Sequence, residues 1–143
     1  GTTLPFELFG APFLDPEKML KNIDKSLLDG CCLRPISFLP TANKWQGEDC
    51  RGFHLHVTDK HAFKPYRVSL ALLQAIVRLY PDDFALKQPP YEYEFEKLPL
   101  DLILGSEKVR QALAAGVAVP EVEAGWQKEL HDFAEIRKSC FLY

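Results

Sequence analysis

The fold of this chain is indicated most clearly by residues 53–80, FHLHVTDKHAFKPYRVSLALLQAIVRLY, in which a strand pattern is followed by a helix pattern. Apolar and polar side chains alternate from Phe53 to Thr58, as they do in a strand with one buried face. From Tyr66 to Tyr80 the residues are apolar nearly all round a helix, which is typical of a helix in the middle of a domain. Residues 53–80 therefore predict a strand followed by a central, buried helix.

Further elements are predicted on the amino-terminal side of this stretch. The run from Asp15 to Glu17 is a helix start, with aspartate at the N-cap and proline at the first helical position. Gly30 is placed to end that helix. Residues 31–39 have the composition of a strand, and Pro35 favours an edge strand or a bulge. These signals add one helix and one strand before residue 53.

Helices and loops are predicted on the carboxyl-terminal side. Residues 88–98 indicate a loop or a short extended segment, and Ser106 caps a helix that runs to about Ala115. Pro120 starts the last helix. Its apolar stripe consists of Val122, Trp126, Leu130 and Phe133. The order α-β-β-α-α-α favours the α+β class, with a small β-sheet covered by helices in a single compact domain that spans residues 1–143.

Composition limits the classes of partner. The 143 residues are 47% hydrophobic and 12% aromatic, which is enough for a core, and the net charge is -3. Because no basic stripe is present, nucleic acid is a poor candidate partner. No apolar run approaches the ~20 residues of a transmembrane helix, so no membrane span is expected. Phosphate-binding glycine loops and the common hydrolase motifs are missing too, so we expect no cofactor and assign no catalytic residue.

The cysteines favour neither a disulfide framework nor a metal site. Cys31 and Cys32 are adjacent, and a bond between them would require a strained peptide. The spacings contain no CxxC pair, so no metal site is expected. Free thiols are the favoured interpretation. A disulfide that involves Cys50 remains open if the compartment is oxidising.

The amino-terminal segment is the first candidate site. Glu7 lies in an apolar setting, and a carboxylate there must find hydrogen-bond donors. The functional interpretation is that Glu7, with Thr2 and Thr3, faces a ligand at a domain boundary. The structural interpretation is that Glu7 ties the segment down, through a backbone amide or through Arg34. The residues alone leave both open.

The loop of residues 44–52 is the second candidate. Lys44, Gln46 and Arg51 supply cations and an amide, and Trp45 supplies an aromatic face. Sugar sites favour this mixture, because rings stack on C–H faces and amides and cations bind hydroxyls and carboxylates. The alternative is an ordinary solvated loop in which Trp45 packs against the core.

A histidine strand is the third candidate. His54 and His56 share one face of the predicted strand, with Asp59 nearby, and such a pair can serve as half a metal site or as a base with its orienting group. A partly buried, hydrogen-bonded histidine is the more common outcome. Asp59 is also a plausible start for the turn that follows the strand. His61 lies two residues further on.

The segment from Tyr91 to Asp101 is the last candidate. Its alternating acids and aromatics permit a glycosidase-type carboxylate pair. Packing alone also explains the alternation, with acids exposed opposite a buried aromatic face, and we expect that outcome.

Several motifs, taken together, resemble one family over nearly the whole chain and in order. They are GTTLPFELFGAPFLD at 1–15, LRPISFLPTANKWQGEDCRGFHLHVTD at 33–59, FKPYRVSLALLQAIVRLYP at 63–81, PPYEYEFEKLPLDLILG at 89–105 and the closing Trp126, Phe133, Arg137 and Phe141-Leu142-Tyr143. The chain is similar to the C-terminal domain of the bacterial exo-β-N-acetylmuramidase (NamZ-like) family.

The resemblance implies a glycoside hydrolase that removes terminal N-acetylmuramic acid from peptidoglycan fragments outside the cytoplasm. It also implies a preceding Rossmann-like domain that carries the catalytic acid. The chain begins on a dense motif without an initiator Met, so we expect it to be the C-terminal domain of a longer two-domain protein, inactive alone.

In that protein the domain would form one wall of the interdomain cleft and contact the muramyl sugar. The residues that we expect to bind the sugar are Thr2, Thr3, Glu7, Lys44, Gln46, Arg51 and His56. The alternative is a non-catalytic structural or glycan-binding module.

Overall fold

The computed structural model describes residues 2–142 and confirms the α+β class. The strands are β1 (Leu8–Ala11), β2 (Cys31–Phe38) and β3 (Cys50–Val57). The helices are α1 (Pro16–Asn22), α2 (Pro65–Leu79), α3 (Pro99–Leu104), α4 (Glu107–Ala114), α5 (Val119–Ala124) and α6 (Gln127–Lys138), with a 3₁₀ turn at Lys25–Leu28. The chain forms two compact units, one up to Leu86 and the other from Lys87.

The three strands form one antiparallel sheet in the order β1-β3-β2. β3 is central, and His54 is paired with Leu8 on one side and with Arg34 on the other. β2 is an edge strand, as the proline at position 35 predicts. β1 was not predicted, because four residues that include a glycine carry too short a pattern to indicate a strand.

β1 and β3 approach closely at a pair of glycines. Gly10 is paired with Gly52. A Cβ atom added at Gly52 would lie 2.6 Å from the Cα of Gly10 and closer still to the carbonyl oxygen of Phe9. The strands can adopt this spacing only because position 52 has no side chain.

One face of the sheet belongs to the core of the first unit. Paired residues of an antiparallel sheet share a face, and Phe53 and Leu33, which the β2–β3 register places on one face, are both buried. The buried apolar residues of this unit are Ala11, Leu14, Met19, Ile23, Leu27, Leu33, Cys50, Phe53, Val68, Leu70, Ala71, Leu72, Ala75 and Tyr80. The opposite face carries Arg34, His54 and His56.

The first predicted helix is interrupted. Asp15 is its N-cap, as predicted, and accepts hydrogen bonds from the backbone N–H groups of Glu17 and Lys18 at 2.9 and 3.1 Å. The prediction that the helix continues to Gly30 is wrong, because α1 ends at Asn22. The carboxylate of Asp24 accepts a bond from the Ser26 N–H and starts a separate 3₁₀ turn.

The second unit also departs from the predicted helices. The helix after Ser106 is confirmed, while α3 was missed. The last predicted helix is divided at Gly125 and Trp126 into α5 and α6. Val122 is buried, but Leu130 and Phe133 are exposed, so the apolar stripe is not a core stripe over its whole length.

An ion pair joins α3 to α4. The Nε of Arg110 lies 2.6 Å from Oδ1 of Asp101, and both side chains are largely buried. This hydrogen bond raises the pKa of Arg110. Asp101 therefore anchors the short helix that contains it. Between Thr2 and Leu142, no helix is both long and apolar enough to cross a membrane.

Candidate functional site

A chain of three polar side chains lies on the face of the sheet opposite the core. Nη2 of Arg34 is 3.0 Å from Nδ1 of His54, and Nε2 of His54 is 3.1 Å from Oε2 of Glu7. Arg34 is in β2, His54 is in β3, and Glu7 directly precedes β1, so the three-stranded pairing brings them together. The sheet register therefore builds a cation–imidazole–carboxylate row.

The two contacts of His54 determine its tautomer. A guanidinium can only donate, so Nδ1 must accept from Arg34. In the neutral ring the proton then lies on Nε2 and is donated to Glu7. The His54 side chain is only 14% exposed, whereas that of Glu7 is 54% exposed. The arrangement holds the Glu7 carboxylate in place while leaving much of it accessible.

A surface pocket of about 550 Å³ lies beside this row. Its lining comprises Phe6, Glu7, Leu55, His56, Val57, Phe63, Pro65 and Ser69. The rings of His56 and His54 are in contact, with the centroids 3.9 Å apart and the planes tilted by 40°. The backbone also fixes this corner, because the Leu55 N–H donates to the Glu7 carbonyl at 2.8 Å. Glu7 and His56, two of the predicted site residues, thus share one pocket.

The loop of residues 44–52, the second candidate site, makes contacts away from the pocket that Glu7 and His56 line. Nζ of Lys44 lies 5.0 Å from the centroid of the Trp45 ring, and Trp45 packs edge-on against Phe13 at 6.2 Å. Phe13 in turn lies 5.5 Å from Tyr80. Trp45 therefore packs against an aromatic cluster, as the structural interpretation of this loop predicts.

The remaining predicted residues do not line the pocket. Gln46 is exposed in the loop, and Arg51 lies 4.0 Å from Asp15 at the start of α1. Thr2 is half-buried and Thr3 is exposed. The structure thus brings together Glu7 and His56, and places the loop residues elsewhere in the first unit. Whether any of these residues binds a sugar stays a prediction.

The predicted list of site residues omitted two residues, His54 and Arg34, that are central to the observed site. His54 was named only as one of a pair, and Arg34 only as a possible structural partner of Glu7. The available signal was the strand pattern around each residue. If the two strands pair in the register that the structure has, residue 34 lies opposite residue 54. That register could not be read from either strand alone.

The segment from Tyr91 to Asp101 does not have the extended structure, with a buried aromatic face, that its alternating pattern suggested. Tyr93 and Phe95 are 95% and 71% exposed, so the expectation of a buried aromatic face is wrong. Glu94 instead accepts backbone hydrogen bonds from Glu96 and Lys97 at 2.8 and 3.2 Å, which lower its pKa. A turn, rather than an extended strand, explains this segment.

Asp59 has the structural role that the sequence indicated, since it accepts a bond from the His61 N–H at 2.8 Å. Among residues 2–142, no group of three His, Cys, Asp or Glu side chains is arranged to hold a metal ion. The four cysteines are free thiols, and burial, aided by Glu48 and Asp49, raises the pKa of Cys50.

Comparison with known proteins identifies the family. The model for the C-terminal region of the exo-β-N-acetylmuramidase NamZ matches residues 1–143. The chain is 34% identical to the peptidoglycan β-N-acetylmuramidase NamZ of Bacillus subtilis, over all of this chain and 33% of that protein. It resembles the crystal structure of a DUF1343 family protein from Bacteroides fragilis with a TM-score of 0.80 and 26% identity, over 100% of this chain and 36% of the other. The chain thus spans about a third of the length of these relatives, and it belongs to the family of NamZ-type exo-β-N-acetylmuramidase C-terminal domains.

Proposed function

We propose that this chain is part of a peptidoglycan-degrading exo-β-N-acetylmuramidase and forms one wall of the cleft in which a muramyl sugar binds. The observation that carries the proposal is the pocket that Glu7 and His56 line together, next to the Arg34–His54–Glu7 row. Clefts between domains are common ligand sites. Membership of the NamZ family supplies the substrate class.

The chemistry of the row suits a carboxylated sugar. The Glu7 carboxylate, held by His54, is an acceptor for sugar hydroxyl groups. Arg34 is exposed and donates one hydrogen bond to His54. Its other N–H groups can therefore bind the lactyl carboxylate of muramic acid. Phe63 and the ring of His56 provide apolar surface for the C–H face of the sugar.

The proposal divides the work between two domains. The catalytic acid lies on an N-terminal Rossmann-like domain, and this chain contributes binding and the exclusion of water. The chain therefore contains no assigned catalytic residue. Because the substrate is cell-wall material, we place the protein outside the cytoplasm, in the periplasm or secreted.

The test is substitution of Glu7 in the full-length enzyme. Glu7→Gln keeps an oxygen that can accept the His54 proton, so the fold should be retained while the charge is lost. We expect kcat/KM for a chromogenic muraminide to fall by about tenfold or more, the effect of one charged hydrogen bond, with an unchanged melting temperature. Glu48→Gln, an exposed acid of the loop, is the matched control. Equal activity of both variants would remove Glu7 from the substrate site.

Two further variants locate the cation that binds the lactyl group. Arg34→Ala should weaken binding of muramic acid derivatives but not of N-acetylglucosamine derivatives, because only the former carry the carboxylate. Lys44→Ala tests the loop in the same assay. If Lys44→Ala, and not Arg34→Ala, removes this discrimination, the loop site predicted from sequence is correct and Arg34 is structural.

The second candidate is a non-catalytic structural or glycan-binding module. It is favoured by one observation: Trp45, with Lys44 beside it, is engaged with Phe13 rather than lining the pocket. Binding of muramyl glycans by the full-length protein that survives Glu7→Gln and Arg34→Ala, without any change in turnover, would support this alternative.

A further inference from the structure

The last helix presents an apolar surface that its own unit does not bury. None of the twelve residues of α6, all of them described, is buried. Leu130, Phe133 and Ile136 are 55%, 60% and 67% exposed. They are spaced by three residues and stand within about 120° of the helix circumference, since each residue turns by about 100°. Phe141, beyond the helix end, is exposed as well.

These residues form an apolar stripe that is bordered by Arg137, whose guanidinium lies 5.6 Å from the centroid of the Phe141 ring, and by Glu129. The far side of α6 is polar and carries Lys128 and Glu135, the second of which pairs with Lys138 at 2.7 Å. A helix with one apolar and one polar face is stabilised by placing the apolar face against a partner. An exposed apolar patch with a polar rim on a folded protein commonly marks an interaction site.

We propose that the stripe formed by Leu130, Phe133, Ile136 and Phe141 docks onto the N-terminal domain of the full-length protein. The docking proposal shares one assumption with the proposed function, which is that the full-length protein has an N-terminal domain. The relatives support the choice of partner, because this chain covers 33% of the Bacillus protein and 36% of the Bacteroides protein. Each relative therefore has about two thirds of its length available to cover α6.

The size of the stripe also favours a partner in the same polypeptide. With about 150–250 Å² for a large side chain, the exposed parts of the four residues amount to roughly 500 Å². A stable complex between separate molecules needs about 800 Å² on each side. Interfaces between tethered domains are stable at about 600–1,500 Å² in total, because the linker keeps the effective concentration high. The stripe is too small for a free dimer and sufficient for a tethered domain.

The test compares hydrogen exchange of α6 in the full-length protein and in residues 1–143, both without ligand. We expect the α6 amides to exchange at least about tenfold more slowly in the full-length protein, because docking suppresses local opening. Leu130→Ser with Phe133→Ser should abolish this difference. Lys128→Ser with Glu135→Ser, on the polar face, is the matched control and should preserve it, since an exposed ion pair contributes little.

Three outcomes would overturn the proposal. The first is equal exchange of α6 in the two proteins. The second is a loss of protection in both proteins when the stripe is substituted, which would assign the stripe to packing within residues 1–143. The third is a full-length dimer that becomes a monomer on substitution, measured by light scattering, which would make a second copy the partner. Because no turnover is measured, an inactive enzyme could still confirm docking, and the two proposals fail separately.

Discussion

Substitution of Gly52 by alanine should detach the first strand of the sheet. A Cβ atom at this position would meet the Phe9 carbonyl oxygen and lie 2.6 Å from the Cα of Gly10. Both neighbours are backbone atoms of β1, which cannot move aside as a flexible side chain does. The substitution therefore forces β1 away from β3, and it also forces Glu7, which directly precedes β1, away from His54.

The expected loss of stability depends on which atoms the new methyl group displaces. Adding a methyl group to a well-packed site typically costs about 1–3 kcal/mol. We expect Gly52→Ala to lie at or above the top of that range, about 3 kcal/mol, because the strand pairing must also be disrupted. This is a large share of the ~5–15 kcal/mol by which a domain is stable.

Urea denaturation of residues 1–143 measures the effect. With Trp126 replaced by phenylalanine, Trp45 is the sole remaining tryptophan and reports on the first unit. With a slope of about 1–3 kcal/mol per molar urea, a loss of about 3 kcal/mol should lower the midpoint by about 1–3 M. Gly47→Ala is the control, because a Cβ there meets nothing within 4 Å and only the φ of +76° is unfavourable. A smaller shift for Gly52→Ala than for Gly47→Ala would refute the steric argument.

Three other predictions concern the core, the thiols and the acid side of the stability profile. Phe53→Ala should cost about 3–5 kcal/mol in the same assay, because Phe53 is fully buried, while Phe95→Ala should change stability little. Thiol titration of the unreduced, denatured protein should find four free thiols, and a lower count would indicate a disulfide. The Lys18 N–H is the main cause that lowers the pKa of Asp15 below 3.8; the resulting stability is present above pH 3.8 and is lost as pH falls below it. Asp15→Asn, which keeps a capping side chain, should therefore be less stable than the unchanged protein at pH 7 and approach it at pH 2–3, and a constant difference would contradict this linkage.

The last prediction concerns activity. Residues 1–143 alone should release no N-acetylmuramic acid from a chromogenic muraminide, because the proposed function assigns the catalytic acid to the N-terminal domain. Turnover by this chain would place the catalytic acid within it and would contradict the proposed division of work between two domains.

The sequence by itself determined the elements whose signals are local. The carboxylate of Asp15 caps α1 through N–H groups two and three residues away. The apolar pattern of residues 66–80 predicted a helix, which is α2, although the helix buries only part of its surface, at Val68, Leu70, Ala71, Leu72 and Ala75. The turn at Asp59 is local in the same way. In each case the residues that cause the structure are within about one helical turn of it, so the pattern is sufficient.

Only the tertiary structure decided the site and the ends of several helices. Glu7 and His54 are 47 residues apart, and Arg34 and His54 are 20 apart, so their contacts depend on the register of three strands. β1, four residues long, exists because β3 offers it hydrogen bonds and a glycine at the point of closest approach. Leu130 and Phe133 have the spacing of core residues yet are exposed, because periodicity specifies which residues share a face but not what covers that face.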